Sequence, residues 1–121
     1  MQMPELKLAR SRLNTDRDQA LVNIAELERE FAAFVTAASE GSAGSDDEHD
    51  PEGATVAFER QHVAALITQA RAHLTEIDTA LRKVDSGTYE ICDICGEPIG
   101  AERLAARPAA LICVRCARRR R

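Results

Sequence analysis

The chain has 121 residues, a formal net charge of -4, only 3% aromatic side chains and no tryptophan. This length fits one compact domain, or one small domain with an elongated element, and it excludes two independent enzyme domains of ordinary size. The few aromatic residues and the many Ala, Leu, Glu and Arg residues favour helices that pack along narrow seams, so we expect a mainly α protein.

Charge is unevenly distributed along the chain. Residues 39–55 carry six acidic and no basic side chains, whereas residues 92–121 carry seven basic and three acidic ones. Such a segregated field can orient a protein on a large charged partner. No apolar run approaches the roughly 20 residues that cross a bilayer, and the first residues lack the pattern of a signal peptide. We therefore expect a cytoplasmic protein with no membrane partner.

Heptad rows of apolar residues predict two long helices. Pro4 suits a first helical position, and no Gly or Pro interrupts residues 5–40. The rows of helix one are Leu13, Ala20, Leu27 and Phe34, and Ile24, Phe31 and Ala38. Those of helix two are Val56, Val63, Ala70, Ile77 and Val84, and Ile67, Leu74 and Leu81. Ser86-Gly87 then provides a stop.

Narrow seams of this kind pair each helix with a single partner. Residues 1–86 are therefore predicted to form a long antiparallel coiled-coil hairpin. The core of an ordinary bundle is the alternative, but no third long helix is available to complete one. Residues 39–55, which combine Gly, Ser and Pro with the acidic cluster, are predicted to be a tip loop. The loop would lie at the far end of the hairpin, about 50 Å away at 1.5 Å per residue.

Four cysteines form two CxxC pairs, Cys92 with Cys95 and Cys113 with Cys116, separated by seventeen residues. This spacing is typical of a four-thiolate zinc site, and Gly96 lets the backbone fold over the sulfurs. Because four thiolates fill a tetrahedral zinc ion, the metal should be one structural Zn²⁺ and not a catalytic one.

Other functions of the cysteines fit the sequence less well. An iron–sulfur cluster has similar ligands, and a redox CxxC expects a thioredoxin-like context that the pattern does not show. The three histidines are remote from the cysteines in sequence. Residues 87–121 are therefore predicted to be a small zinc finger with a basic tail, supported by an apolar cluster of Tyr89, Ile99 and Leu104.

The residues around the cysteines carry a family resemblance. The string GTYEICDICGEPI at residues 87–99, followed by RLAARP at residues 103–108 and the second cysteine pair, resembles the DksA/TraR zinc-finger family. Glu90 departs from the Gly common there. The resemblance implies a coiled-coil hairpin on a zinc-bearing globular base, which enters the secondary channel of RNA polymerase and modulates promoter complexes. It implies no enzymatic activity and no sequence-specific DNA binding.

The resemblance also nominates residues at the tip. The family tip carries an Asp-x-x-Asp-x-Ala pattern, and ungapped alignment from Cys92 places Glu52 on its second Asp and Ala54 on its Ala. The first Asp falls on His49. A slip of one residue would give that role to Asp50, and Asp47 is the further candidate.

Family members bind guanosine tetraphosphate at the polymerase interface through basic side chains. Two of these positions fall on Glu76 and Ala117, and only Arg107 agrees, as a possible nucleotide or polymerase contact. Fewer cations would meet the phosphates, so dependence on this nucleotide is expected to be weak.

Two other functions compete with the polymerase regulator. A zinc-ribbon nucleic-acid binder would use the arginine tail, residues 118–121, and would lose affinity steeply as salt rises. A metal-dependent hydrolase would use the tip carboxylates, but the sequence offers it no nucleophile and no open metal site.

Overall fold

In a computed structural model, the protein is described over residues 1–41 and 51–120, without the side chains of residues 38–41, 51 and 52. Its helices are α1 (Met3–Gly41), α2 (Pro51–Ser86), α3 (Ala101–Ala106) and α4 (Val114–Arg119). The described residues form no strand, only an isolated antiparallel bridge between Ile91 and Pro98. The predicted mainly α class is confirmed. None of the helices in these ranges is long and apolar enough to cross a membrane.

The long helices extend into the stretch that the sequence pattern assigned to the loop. Helix α1 continues to Gly41, and α2 begins at Pro51, so residues 51–55 are helical. Proline is favourable at the first helical position, because its N–H is not needed there and its φ angle is already helical. The prediction of a loop over all of residues 39–55 was therefore wrong at both ends.

The chain divides into two compact units, residues 1–19 with 73–121, and residues 20–72. In the first unit, the Arg10 guanidinium lies 2.7 Å from the Asp85 carboxylate, and that of Arg17 lies 2.7 Å from the Asp78 carboxylate. One heptad forward along α1 thus corresponds to one heptad back along α2. The two helices pair antiparallel there in a heptad register.

The seam of the first unit is closed by apolar side chains from both long helices. Leu13 of α1 and Ile77 of α2 are fully buried, and Val84 is buried near the end of α2. The small residues Ala9 and Ala80 are buried beside them, although neither belongs to the predicted rows.

The second unit has its own apolar cluster. It comprises the buried residues Leu27, Val63 and Ile67, packed against Phe31, Phe34, Leu66 and Ala70. All of these except Leu66 belong to the predicted rows. An exposed ion pair of 2.6 Å joins Arg71 to Glu28 across the two helices.

Helix α2 ends in a Schellman motif at the predicted stop. Gly87 has φ +80°, a left-handed conformation that glycine adopts at little cost. The N–H of Thr88 donates to the carbonyl of Lys83 at 2.9 Å, and that of Gly87 donates to Val84 at 3.4 Å. The chain leaves the helix here and enters the cysteine-bearing segment.

Candidate metal centre

The first cysteine pair lies on a tight turn that backbone hydrogen bonds close. The N–H of Cys92 donates to the carbonyl of Glu97 at 2.8 Å, and the N–H of Gly96 donates to the carbonyl of Cys92 at 3.0 Å. Gly96 has φ +75°, as its predicted role in folding the chain back requires. Further from the turn, the N–H of Ile99 donates to the backbone carbonyl of Glu90 at 2.7 Å. This turn is the first knuckle.

The second cysteine pair lies at the start of α4 and forms the second knuckle. Cys113 is the N-cap residue of this helix, and Cys116 is buried within it. The Ala117 N–H donates to the Cys113 carbonyl at 3.0 Å. A bond of 2.9 Å from the N–H of Asp93 to the carbonyl of Leu111 ties the two knuckles together.

The structure brings the four predicted cysteines to one point. Their sulfur atoms all lie within 4.8 Å of one another, and those of Cys95 and Cys113 are 3.8 Å apart. A tetrahedral zinc ion with Zn–S bonds of about 2.3 Å would separate its sulfurs by about 3.8 Å, so the geometry fits the metal. The chain therefore has a site for one structural zinc ion. Cys92, Cys113 and Cys116 are buried and Cys95 is exposed.

Backbone amides favour the thiolate form of the leading cysteine in each pair. Burial opposes ionisation of Cys92, but backbone hydrogen bonds from Cys95, Cys113 and Ile94 lower its pKa to about 6. The Ile94 and Cys113 nitrogens each lie 3.4 Å from its sulfur. A backbone hydrogen bond from Cys116 lowers the pKa of the Cys113 thiol in the same way.

The fourth thiol shows why the cluster needs a cation. Burial, followed by the neighbouring thiols of Cys113, Cys92 and Cys95, raises the pKa of Cys116 to about 12. Four thiolates in one small volume repel one another, and a divalent metal ion removes that repulsion when it binds them. With four protein ligands no position stays open for a water, which makes the role structural.

The three residues predicted to form an apolar cluster beside the knuckles, Tyr89, Ile99 and Leu104, are all buried. The hydroxyl of Tyr89 donates to the carbonyl oxygen of Pro108 at 2.7 Å. Burial raises the pKa of Tyr89 above 10.0, and the positive charge of Arg12 offsets part of that rise.

Two basic residues at this site were missed by the sequence pattern. Lys83 is buried with 8% of its surface exposed, and its ammonium donates to the carbonyl of Ile91 at 2.6 Å and lies 2.8 Å from the Asp93 carboxylate. The guanidinium of Arg103 donates to the carbonyl of Ile112 at 2.9 Å. A lysine directly before the last seam residue of a helix was the one available signal, since a buried charge needs partners nearby.

The other predicted site residues lie apart from the cysteines in sequence or on the surface. Arg107 is exposed at the C-cap of α3. Ala54 is exposed in the first turns of α2, and Glu52 lies in the same helix. Asp47 and Asp50 lie outside the described residues.

The arginine tail begins inside α4. Arg118 and Arg119 belong to this helix and are exposed, as is Arg120. Arg121 lies outside the described part of the chain.

Comparison with known sequences matches the cysteine-bearing segment. Residues 87–121 match the sequence model of the prokaryotic dksA/traR C4-type zinc finger. The protein YteA of Bacillus subtilis is 39% identical over 70 residues, which are 58% of this chain and 29% of YteA. The RNA polymerase-binding transcription factor DksA of Caulobacter vibrioides is 50% identical over 44 residues, 36% of this chain and 31% of that protein. The DksA protein of Escherichia coli is 39% identical over 46 residues, which are 38% of this chain and 30% of that protein.

The aligned segments thus span about a third of the length of these relatives. Comparison with solved structures extends over more of the chain. Transcription factor DksA2 from Pseudomonas aeruginosa has the same fold, with a TM-score of 0.76 and 24% sequence identity, covering 98% of this chain and 84% of that one.

Proposed function

Because residues 87–121 belong to the prokaryotic DksA/TraR family of C4-type zinc fingers, we propose that this protein binds RNA polymerase and regulates transcription. The relatives from Caulobacter and Escherichia that share the finger are RNA polymerase-binding transcription factors. The fold likeness to DksA2 adds the two long helices to the shared features.

One combination of features carries this proposal. A finger that matches the family follows two helices of 39 and 36 residues, which pair antiparallel in the compact unit that carries the finger. A structural metal and a heptad seam supply no catalytic group, but they suit a protein that presents a helical hairpin to a partner. We therefore assign a binding role and no reaction.

The finer proposal is that the hairpin enters the secondary channel of the polymerase and acts through its acidic tip. Asp50 and Glu52 are the proposed acting carboxylates, with Asp47 and Ala54 as further tip residues. The support is the clustering of six acidic and no basic side chains in residues 39–55. Carboxylates beside an active centre change the field around its metal ions and loops.

Guanosine tetraphosphate is proposed to add little to this activity. The family resemblance places Glu76 and Ala117 where cations would serve a phosphate ligand, and exposed Glu76 has its carboxylate 3.8 Å from the ring nitrogen of His73. Arg107 is exposed and remains as the one matching cation. Transcription assays with and without the nucleotide test this point. A large synergy that disappears in Arg107→Ala would contradict it.

Binding to core polymerase without DNA is the central experiment. We expect the labelled protein to bind core enzyme and to be displaced by a competitor that occupies the secondary channel. Leu27→Asp should abolish binding, because it places a charge in the buried seam. Leu21→Asp, an exposed position of the same helix, is the matched control and should bind normally. Absence of binding to core enzyme would contradict the proposed function.

Binding to nucleic acid is the competing function, and the exposed arginines of α4 favour it. Titration with free duplex DNA at several salt concentrations separates the two. A nucleic-acid binder would show tight binding with a steep salt slope, whereas the polymerase regulator should bind free duplex weakly and without sequence preference.

A further inference from the structure

Each zinc knuckle has a basic side chain on the carbonyl oxygen that precedes its first cysteine. The ammonium of Lys83 donates to the carbonyl of Ile91, directly before Cys92, at 2.6 Å. The guanidinium of Arg103 donates to the carbonyl of Ile112, directly before Cys113, at 2.9 Å. The two contacts come from different helices, α2 and α3, yet they are made at equivalent positions of the two CxxC turns.

The chemistry of the site explains why cations are useful at these positions. Four thiolates around one Zn²⁺ carry a net charge of minus two, and three of the four cysteines are buried. Charge taken out of water must be compensated by nearby donors and opposite charge. The backbone N–H groups of Ile94 and Cys113 provide part of this compensation at the Cys92 sulfur. Beyond the sulfurs, cations close to the knuckle backbone can add to this compensation.

We propose that Lys83 and Arg103 are positioning residues that fix the backbones of the two zinc knuckles and offset the negative charge of the thiolate cluster. Together they determine how long the chain retains its metal. This role is independent of the proposed polymerase binding, and it concerns basic residues outside the four-cysteine ligand set.

Lys83 should be the stronger member of the pair. It is buried, whereas Arg103 is only half-buried and more screened by water. The backbone carbonyl of Lys83 accepts the Thr88 N–H that closes the end of α2. One residue thus ends the helix with its main chain and holds the first knuckle with its side chain.

Zinc transfer from the full-length, zinc-loaded chain to a chromogenic chelator is the test. Lys83→Met removes the charge at similar length and is expected to speed zinc loss about tenfold or more, the usual scale for an outer partner of a metal ligand. Arg103→Met should speed it by a smaller factor. Arg82→Met is the matched control, because Arg82 is the exposed neighbour of Lys83 and donates to Thr79 of its own helix. Equal zinc loss from Lys83→Met and Arg82→Met would overturn the proposal.

Two further variants separate charge from simple packing. Lys83→Arg keeps the positive charge and should retain zinc within about twofold of the parent, as expected for a preserved outer partner. Asp93→Asn leaves the Lys83 charge and its bond to Ile91 in place, so zinc should again be retained. If Asp93→Asn loses zinc as fast as Lys83→Met, the carboxylate tie and not the positive charge holds the knuckle, and the proposal is wrong.

The Co²⁺-loaded form provides the folding check. Its thiolate charge-transfer absorption should match the parent in each variant before release is timed. If Lys83→Met does not fold, Arg103→Met and Asp93→Asn still decide the outcome. Zinc loss from Arg103→Met no faster than from Arg82→Met would then refute the role of the pair.

Discussion

The hydroxyl of Tyr89 donates a 2.7 Å hydrogen bond to the carbonyl oxygen of Pro108 and so joins the segment before the first knuckle to the segment before the second. Tyr89 is the only tyrosine of the sequence, which has no tryptophan. Its ionisation can therefore be followed directly by absorbance, without interference from another aromatic chromophore that titrates.

We predict that Tyr89 ionises at a higher pH in the folded protein than in the unfolded chain, since burial raises its pKa. Because the folded-state pKa of Tyr89 lies above the unfolded-state pKa, the contribution of its neutral hydroxyl to the free energy of unfolding is complete below the unfolded-state pKa. This contribution is lost as the pH rises through the folded-state pKa. Spectrophotometric titration of native and denatured protein measures both values. Tyr89→Phe should lose about 1 kcal/mol of unfolding free energy at neutral pH. A native midpoint at or below the denatured one would contradict this prediction.

Leu13→Ala should strongly destabilise the first unit. The Leu13 side chain is completely buried in the seam, and its truncation leaves a cavity that typically costs about 2 to 5 kcal/mol of unfolding free energy. Leu8→Ala is the matched control, because Leu8 lies on the same helix with 61% of its surface exposed, and should change stability by less than about 0.5 kcal/mol. Denaturant unfolding monitored by circular dichroism measures both. Equal effects would place Leu13 outside the core.

Zinc removal should affect the two parts of the chain differently. Elemental analysis of protein purified without chelators is expected to give one zinc per chain, and less than about half an equivalent would contradict the four-thiolate site. A strong chelator should unfold the segment after residue 87, whose helices α3 and α4 have only six residues each. The long helices should keep their circular dichroism signal, because isolated six-residue helices contribute little and the heptad seam needs no metal. Amide exchange resolved by segment is the direct measurement.

Neutralising the tip should separate function from binding. Asp50→Asn with Glu52→Gln removes two charges at nearly constant shape, so polymerase binding and zinc content should be retained. Under the proposed function the effect on promoter complexes should be lost, because the two proposed acting carboxylates would no longer perturb the charges beside the polymerase active centre. Glu26→Gln with Glu30→Gln removes the same charge at exposed positions of α1 and is the matched control. If the double variant regulates like the parent, Asp50 and Glu52 are not the acting carboxylates and the proposed role of these tip residues is wrong.

The metal site and the seam were predictable because both are encoded by local spacing. The two CxxC pairs determine their four ligands, and the structure gathers them within 4.8 Å. The heptad repetition alone predicts that Leu13, Leu27 and Ile77 are buried, and they are. The buried face of such a helix can be predicted without knowing its partner, because any partner helix must pack against the same apolar face.

Features that depend on position or on tertiary contacts were harder to predict from the sequence. Pro51 was interpreted as a breaker, although the same residue starts a helix when it occupies the first position. Ala9 and Ala80 are buried, but alanine occurs so widely in this sequence that it carries little periodic signal. Lys83 is buried because Ile91 and Asp93 return to it after the helix has ended, and a helical pattern does not show partners beyond its own end.

The paired contacts of Arg10 with Asp85 and of Arg17 with Asp78 also restrict how such a hairpin changes length during evolution. Both pairs depend on one register, in which a heptad on α1 matches a heptad on α2. Inserting a single residue in either helix rotates every following side chain by about 100° and turns the apolar seam toward water. Seven residues added to each helix together restore the seam and the cross-helix pairs. Two helices paired in this register therefore keep their seam and their ion pairs only when their lengths change in matched heptads, which makes the length of the pair a stepwise variable rather than a continuous one.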